Sequence, residues 1–189
     1  MKKIVLFASG SGSNVENIAK YFKNDGSVEI KGVFCNNPNA YVIERCTTLG
    51  IPCRVFGRNE FRDNQVILEE LQQINPDLIV LAGFLWLIPS AYIRQFSDKI
   101  INIHPALLPK FGGKGMYGDR VHQAVVENKE KESGITIHYV NENYDEGLVI
   151  RQVRCEVLPT DTAADVATKV HELEYQHFPE TIAHILKAD

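Results

Sequence analysis

Runs of almost wholly apolar residues, four to eight long and set between helix-length segments, most constrain how this chain folds. Lys3–Ala8, Leu78–Ala82 and Lys99–Ile103 are such runs, and Val28–Cys35, which carries Glu29 and Lys31, reads as a second strand beside the first. A strand with one face in water alternates apolar and polar residues, so strands apolar on both faces belong in a sheet covered on both sides. Between them lie segments of helical periodicity: Ser13–Phe22, with Val15, Ile18, Ala19 and Phe22 on one face, then Tyr41–Leu49, closed by Gly50. A short strand over Cys53–Phe56, a helix from about Glu60 to Gln73 and a short helix over Pro89–Phe96 continue the alternation. This order predicts an α/β fold, a doubly wound, mostly parallel, Rossmann-like sheet in one domain spanning residues 1–189. Past residue 130 two strands, Gly134–Val140 and Val149–Val157, follow one another without a helix and predict an antiparallel pair. A terminal helix runs from about Thr162 to Leu186, with a break expected at Pro179.

Composition narrows the function. The 189 residues carry 20 Lys+Arg against 24 Asp+Glu, a net charge of −4, which argues against nucleic acid or a membrane surface as the main partner. The basic start, Met1-Lys2-Lys3, precedes an apolar stretch too short for a signal peptide or a span, so the expected setting is cytoplasmic. The four cysteines, Cys35, Cys46, Cys53 and Cys155, form no CxxC pair, and no His/Cys spacing suits a metal, so no metal is expected.

Two motifs carry chemistry. In Ser9-Gly10-Ser11-Gly12-Ser13-Asn14, between the first strand and first helix, glycines permit close approach while helix N–H groups and hydroxyls face an anion. Val15 stands where a dinucleotide fingerprint needs its third glycine, and the second strand ends in Asn36-Asn37 with no acid for a ribose. Gly113-Lys114-Gly115 lacks the spacing and hydroxyl of a Walker loop. A single phosphate monoester fits the loop better than NAD or ATP. The second motif is Asn102-Ile103-His104-Pro105, at the end of a strand. Residues two apart share a face, so an amide donor and a titratable imidazole emerge together, the pair acyl transfer needs for an oxyanion and a proton.

The combination of SGSGSN, LAGFLWLI at 81–88, INIHPALLPKF at 101–111 and Asp145-Glu146-Gly147 resembles the phosphoribosylglycinamide formyltransferase family, in order over nearly the whole chain. The resemblance implies formyl transfer from 10-formyltetrahydrofolate, as cosubstrate, to the amine of glycinamide ribonucleotide in purine synthesis. It implies Asn102, His104 and Asp145 as catalytic residues. Gly12, Ser13 and Asn14 are implied to hold the phosphate, and His171 and Glu174 to reach the ribonucleotide. Leu85, Trp86, Leu87 and Ile88, with Val140, Asn141, Glu142, Asn143, Tyr144, Asp145 and Asn102, are implied to line the folate site. Asp145 is expected to raise the His104 pKa and to hold a water for proton transfer. Small molecules are the implied partners, with a monomer or homodimer as the assembly.

The Gly112–Gly118 loop departs from the shorter, histidine-bearing loop of some family members, though its GKGMYG form is also similar to others, and its glycines predict a mobile cover. Asn64 stands where the family places an arginine near the folate tail, with Arg62 close by. Related enzymes acting on methionyl-tRNA, or hydrolysing the folate, are expected to need further domains for which this chain has no segment. Thr136 and His138 alternate on one strand face and are expected to be mainly structural.

Overall fold

The computed structural model describes residues 1–188. One seven-stranded sheet runs β3-β2-β1-β4-β5-β6-β7. Its strands are β1 (Lys2–Ala8), β2 (Val28–Cys35), β3 (Cys53–Val55), β4 (Leu78–Leu81), β5 (Ile100–His104), β6 (Glu132–Tyr139) and β7 (Val149–Glu156). The first five are mutually parallel, and β6 is antiparallel to both β5 and β7. The doubly wound expectation and the antiparallel pair are both met.

Alternation along β1 shows why its apolar run is unbroken. Ile4, Leu6 and Ala8 pack under α1 (Ser13–Phe22), α2 (Val42–Leu49), α5 (Asp119–Glu127) and α6 (Ala163–Ala188). Val5 and Phe7 face the other way, under α3 (Val66–Ile74) and α4 (Ser90–Gln95). The second face is rich in aromatic rings: Phe7 stacks on Phe34 at 5.2 Å and meets Phe84 edge-on at 5.1 Å.

Three local expectations change. The helix expected over Glu60–Gln73 is two pieces, a π-helical turn at Asn59–Asp63 and α3, parted by Gln65 at φ 56°. Tertiary contacts fix the first piece: Phe61 is fully buried, its carbonyl accepts from the Tyr92 hydroxyl at 2.9 Å, and Arg54 bonds Glu60 at 2.6 Å. Pro179 does not break the last helix, which runs unbroken over 26 residues. A proline in a helix interior removes a hydrogen bond and costs about 3 kcal/mol. Here the carbonyl it frees, that of Tyr175, accepts instead from the Asn17 amide of α1 at 2.8 Å. Finally, α5 occupies a stretch to which the sequence reading assigned no element; it presents Val121, His122 and Val125 inward.

Strand order reverses between β1 and β4, and a crevice opens there at the strands' carboxyl ends, where ligands bind in such sheets. Its rims are tied together. Ser9 N–H donates to the Gly83 carbonyl at 3.0 Å, and Leu85 N–H donates to the Ser9 hydroxyl at 3.0 Å. No helix among the described residues is long and apolar enough to cross a membrane.

Candidate active site

A cavity of about 610 Å³ fills this crevice. One end is polar, lined by Gly10, Ser11, Asn14, His171 and Glu174. The other is an apolar slot between Phe84–Ile88 and Val140, with Asn143 and Tyr144 beyond. Asn102, His104, Asp145, His138 and the loop Gly113–Gly118 also line it.

The β5–β6 register builds the centre. It sets Asn102 opposite His138 and His104 opposite Thr136. Thr136 is structural, as expected: its hydroxyl donates to the Ala106 carbonyl at 2.7 Å and accepts from Leu108 N–H at 3.0 Å, holding the turn after β5. His138 does more. Its Nδ1 donates to the Tyr139 carbonyl at 2.8 Å, which leaves the Nε2 lone pair to accept from the Asn102 amide at 3.2 Å. The second Asn102 amide hydrogen faces Asp145 Oδ1 at 3.5 Å, the long limit of a hydrogen bond.

Asp145 sits on the turn after β6 in a left-handed conformation, φ 56°. Its Oδ2 accepts from Gly113 N–H at 3.0 Å and lies 3.5 Å from His104 Nδ1. Burial alone would raise its pKa. The neighbouring His138 and His104 rings and the Gly113 N–H together outweigh burial and hold the carboxyl below the usual value. His104 is 3% exposed, and its Nε2 donates to the Phe111 carbonyl at 2.7 Å. Burial pushes its pKa down more than the Asp145 charge and the Phe111 carbonyl push it up. The expectation that Asp145 raises the histidine is right for that one interaction, but the net direction is downward. Both directions favour a neutral imidazole, protonated at Nε2 where it meets the Phe111 carbonyl, beside an ionised carboxylate.

This direction is measurable. In a proton NMR titration of the free protein, the imidazole resonance absent from His104→Ala shifts below about pH 6.5, the ordinary histidine value. In Asp145→Asn the raising charge is gone, so the midpoint moves further toward acid. A midpoint above 6.5 in the native protein contradicts this account.

At the polar end, Asn14 donates to Glu174 Oε2 at 3.0 Å across 160 residues of chain. Burial raises the Glu174 pKa against the opposing influence of Asn14 and His171. Leu85, Trp86, Leu87 and Ile88 all border the cavity, as do Val140, Asn143, Tyr144, His171 and Glu174; Gly12, Ser13, Asn141 and Glu142 lie outside its lining. Gly12, at φ 73°, opens α1, and a side chain there would strike Val42. Arg62 and Asn64 also lie outside the lining. Gly10 and Ser11 of the glycine loop and Phe84 of the LAGFLWLI segment line the cavity too, and the sequence reading passed over His122. No cluster of His, Cys, Asp or Glu among the described residues suits a metal.

A strand-end amide and imidazole meeting a carboxylate, between a glycine loop and a flat apolar slot, define a group-transfer site. The sequence profile of the formyl transferase family matches residues 2–182, and the chain belongs to that family. A Bacillus subtilis phosphoribosylglycinamide formyltransferase is 37% identical, over 98% of this chain and 95% of its own. A chloroplastic phosphoribosylglycinamide formyltransferase from Arabidopsis thaliana is 38% identical over 97% of this chain, which spans 65% of that relative's length. The crystal structure of phosphoribosylglycinamide formyltransferase from Streptococcus pneumoniae superposes with a TM-score of 0.85 at 35% identity, covering 98% of this chain and 99% of that one. Within the family, the chain sits among the phosphoribosylglycinamide formyltransferases.

Proposed function

We propose that the chain transfers the formyl group of 10-formyltetrahydrofolate to the glycinamide amine of 5-phosphoribosylglycinamide, a step of purine biosynthesis. The observation that carries the reading is one cavity with two unlike ends. A phosphate monoester suits Ser11 and Asn14 at one end and a pterin suits the Trp86 slot at the other, with Asn102, His104 and Asp145 where they meet.

The chemistry follows from the protonation states. The amine attacks the formyl carbon, and Asn102 turns the amide hydrogen held weakly by Asp145 onto the developing oxyanion. His104, neutral at rest, takes the proton the amine loses at Nδ1. The new Nδ1–H is shared between Asp145, whose charge stabilises the imidazolium, and the oxyanion, while Nε2–H stays on the Phe111 carbonyl. As the bond to the folate nitrogen breaks, that nitrogen receives the proton, through a water held by Asp145. The resting histidine is thus set to receive a proton before it gives one.

The loop Gly112–Gly118 closes over the bound substrates, anchored at Gly113. Saturation with both substrates is expected to slow amide hydrogen exchange across it; unchanged exchange removes the closing role. Four free thiols fit the reducing cytoplasm as the setting. The decisive assay mixes purified protein with both substrates and follows absorbance of the deformylated folate. Turnover that requires the ribonucleotide supports the reading. Folate release with no acceptor points to a hydrolase, and turnover with other amines only points to a different acceptor.

A further inference from the structure

Near the polar end, α5 carries a histidine to which none of the chemistry above assigns a task. His122 is 2% exposed and lines the cavity, and its Nδ1 is enclosed with no hydrogen-bond partner among the described residues. A buried polar atom without a partner is uncommon and carries an uncompensated desolvation cost. Val121 and Val125 on the same helix face would let an apolar side chain fill the position. The other ring nitrogen, Nε2, is not enclosed and has no hydrogen-bond partner among the described residues, so it is the atom this imidazole offers to a ligand in the cavity.

The surroundings indicate which partner. The His122 ring meets that of His171 edge-on, with centroids 6.1 Å apart. His171 lies one turn before Glu174 on α6, and Glu174 bonds Asn14 beside the glycine loop. His122 therefore stands on the wall between the phosphate end and His104. Burial, and then the neighbouring His171, holds its pKa below the ordinary value, so the ring is neutral. A neutral ring carries one proton, and placing it on the enclosed Nδ1 would strand a donor. The favoured tautomer keeps the proton on Nε2, with only a lone pair left unpaired.

Resting on the substrate reading above, we propose that His122 is a binding residue for the ribonucleotide, donating its Nε2–H to an oxygen of the ribose. It grips the sugar from α5, beside the His171 and Glu174 side chains of α6. The residue reads the nucleotide and not the folate.

The test is calorimetric titration of the folate-free protein with glycinamide ribonucleotide, alongside steady-state kinetics, for the native chain, His122→Leu, His122→Gln and His122→Asn. Glutamine places an N–H near the imidazole Nε2, whereas asparagine is too short to reach it. Loss of one neutral hydrogen bond weakens binding roughly three- to tenfold. Nucleotide affinity is expected to fall by that factor in His122→Leu and His122→Asn and to stay within about twofold in His122→Gln, with KM for the folate unchanged. Equal nucleotide affinity in the native chain and all variants overturns the inference alone. A native chain that binds no nucleotide overturns the substrate reading and the inference with it. Should the leucine variant not fold, the glutamine–asparagine contrast decides: equal losses, or an equal rise in both KM values, mark a structural role.

Discussion

Replacing His104 by alanine is expected to leave folate binding within about twofold and to lower kcat by roughly 10²–10³. The side chain is buried, with Nε2 spent on the Phe111 carbonyl and Nδ1 directed at Asp145, so it offers the folate little in the ground state. Its contribution arises when the amine's proton reaches it and the imidazolium meets the oxyanion. An interaction made only in the transition state appears in kcat. Asn102→Ala is expected to fall into the same range, because it removes the other donor. Stopped-flow folate binding and steady-state turnover on the same preparations separate the two effects. If binding and turnover fall equally, the transition-state role for His104 is wrong.

Gly147→Ala is expected to destabilise the protein by about 1–3 kcal/mol, as overpacking of a tight site does, and to abolish most turnover although no catalytic group is touched. A Cβ at residue 147 would run into the Tyr139 carbonyl oxygen and stand 2.7 Å from its carbon. That carbonyl accepts from His138 Nδ1 and so fixes the nitrogen that faces Asn102. The same turn carries Asp145 in its left-handed conformation. One methyl group therefore dislodges His138 and Asp145 together. Thermal unfolding and kcat measured on Gly147→Ala check this, and near-native values for both would refute it.

Much of this architecture is legible in the residues. Apolar strands such as Lys3–Ala8 declare a covered sheet because no other environment suits both their faces. Asn102 and His104 declare a site because period-two alternation puts them on one face at a strand's end. What stays hidden depends on partners distant in sequence. Pro179 reads as a helix break until Asn17 takes up the Tyr175 carbonyl. Gln65 splits α3 from the turn before it because Phe61 is drawn into the aromatic core. His138 reads as structural because its partnership with Asn102 exists only through an antiparallel register, which alternation along β6 alone does not supply. The net pKa of His104 is likewise invisible, since charge pairing can be guessed from a motif and burial cannot. A weak signal for α5 was present in the spacing of Val121 and Val125, with Asp119 in its first turn.

The hydrogen bond from Gly113 to Asp145 joins backbone and carboxylate across 32 residues. By thermodynamic linkage, whatever stabilises the ionised carboxylate stabilises the ordered loop, and the reverse holds to the same extent in free energy. A proton arriving on Asp145 weakens the anchor, and a loop pulled away leaves the acid easier to protonate. Shelter from solvent and readiness for chemistry are thus two readings of one equilibrium, and selection on either would have tuned the other.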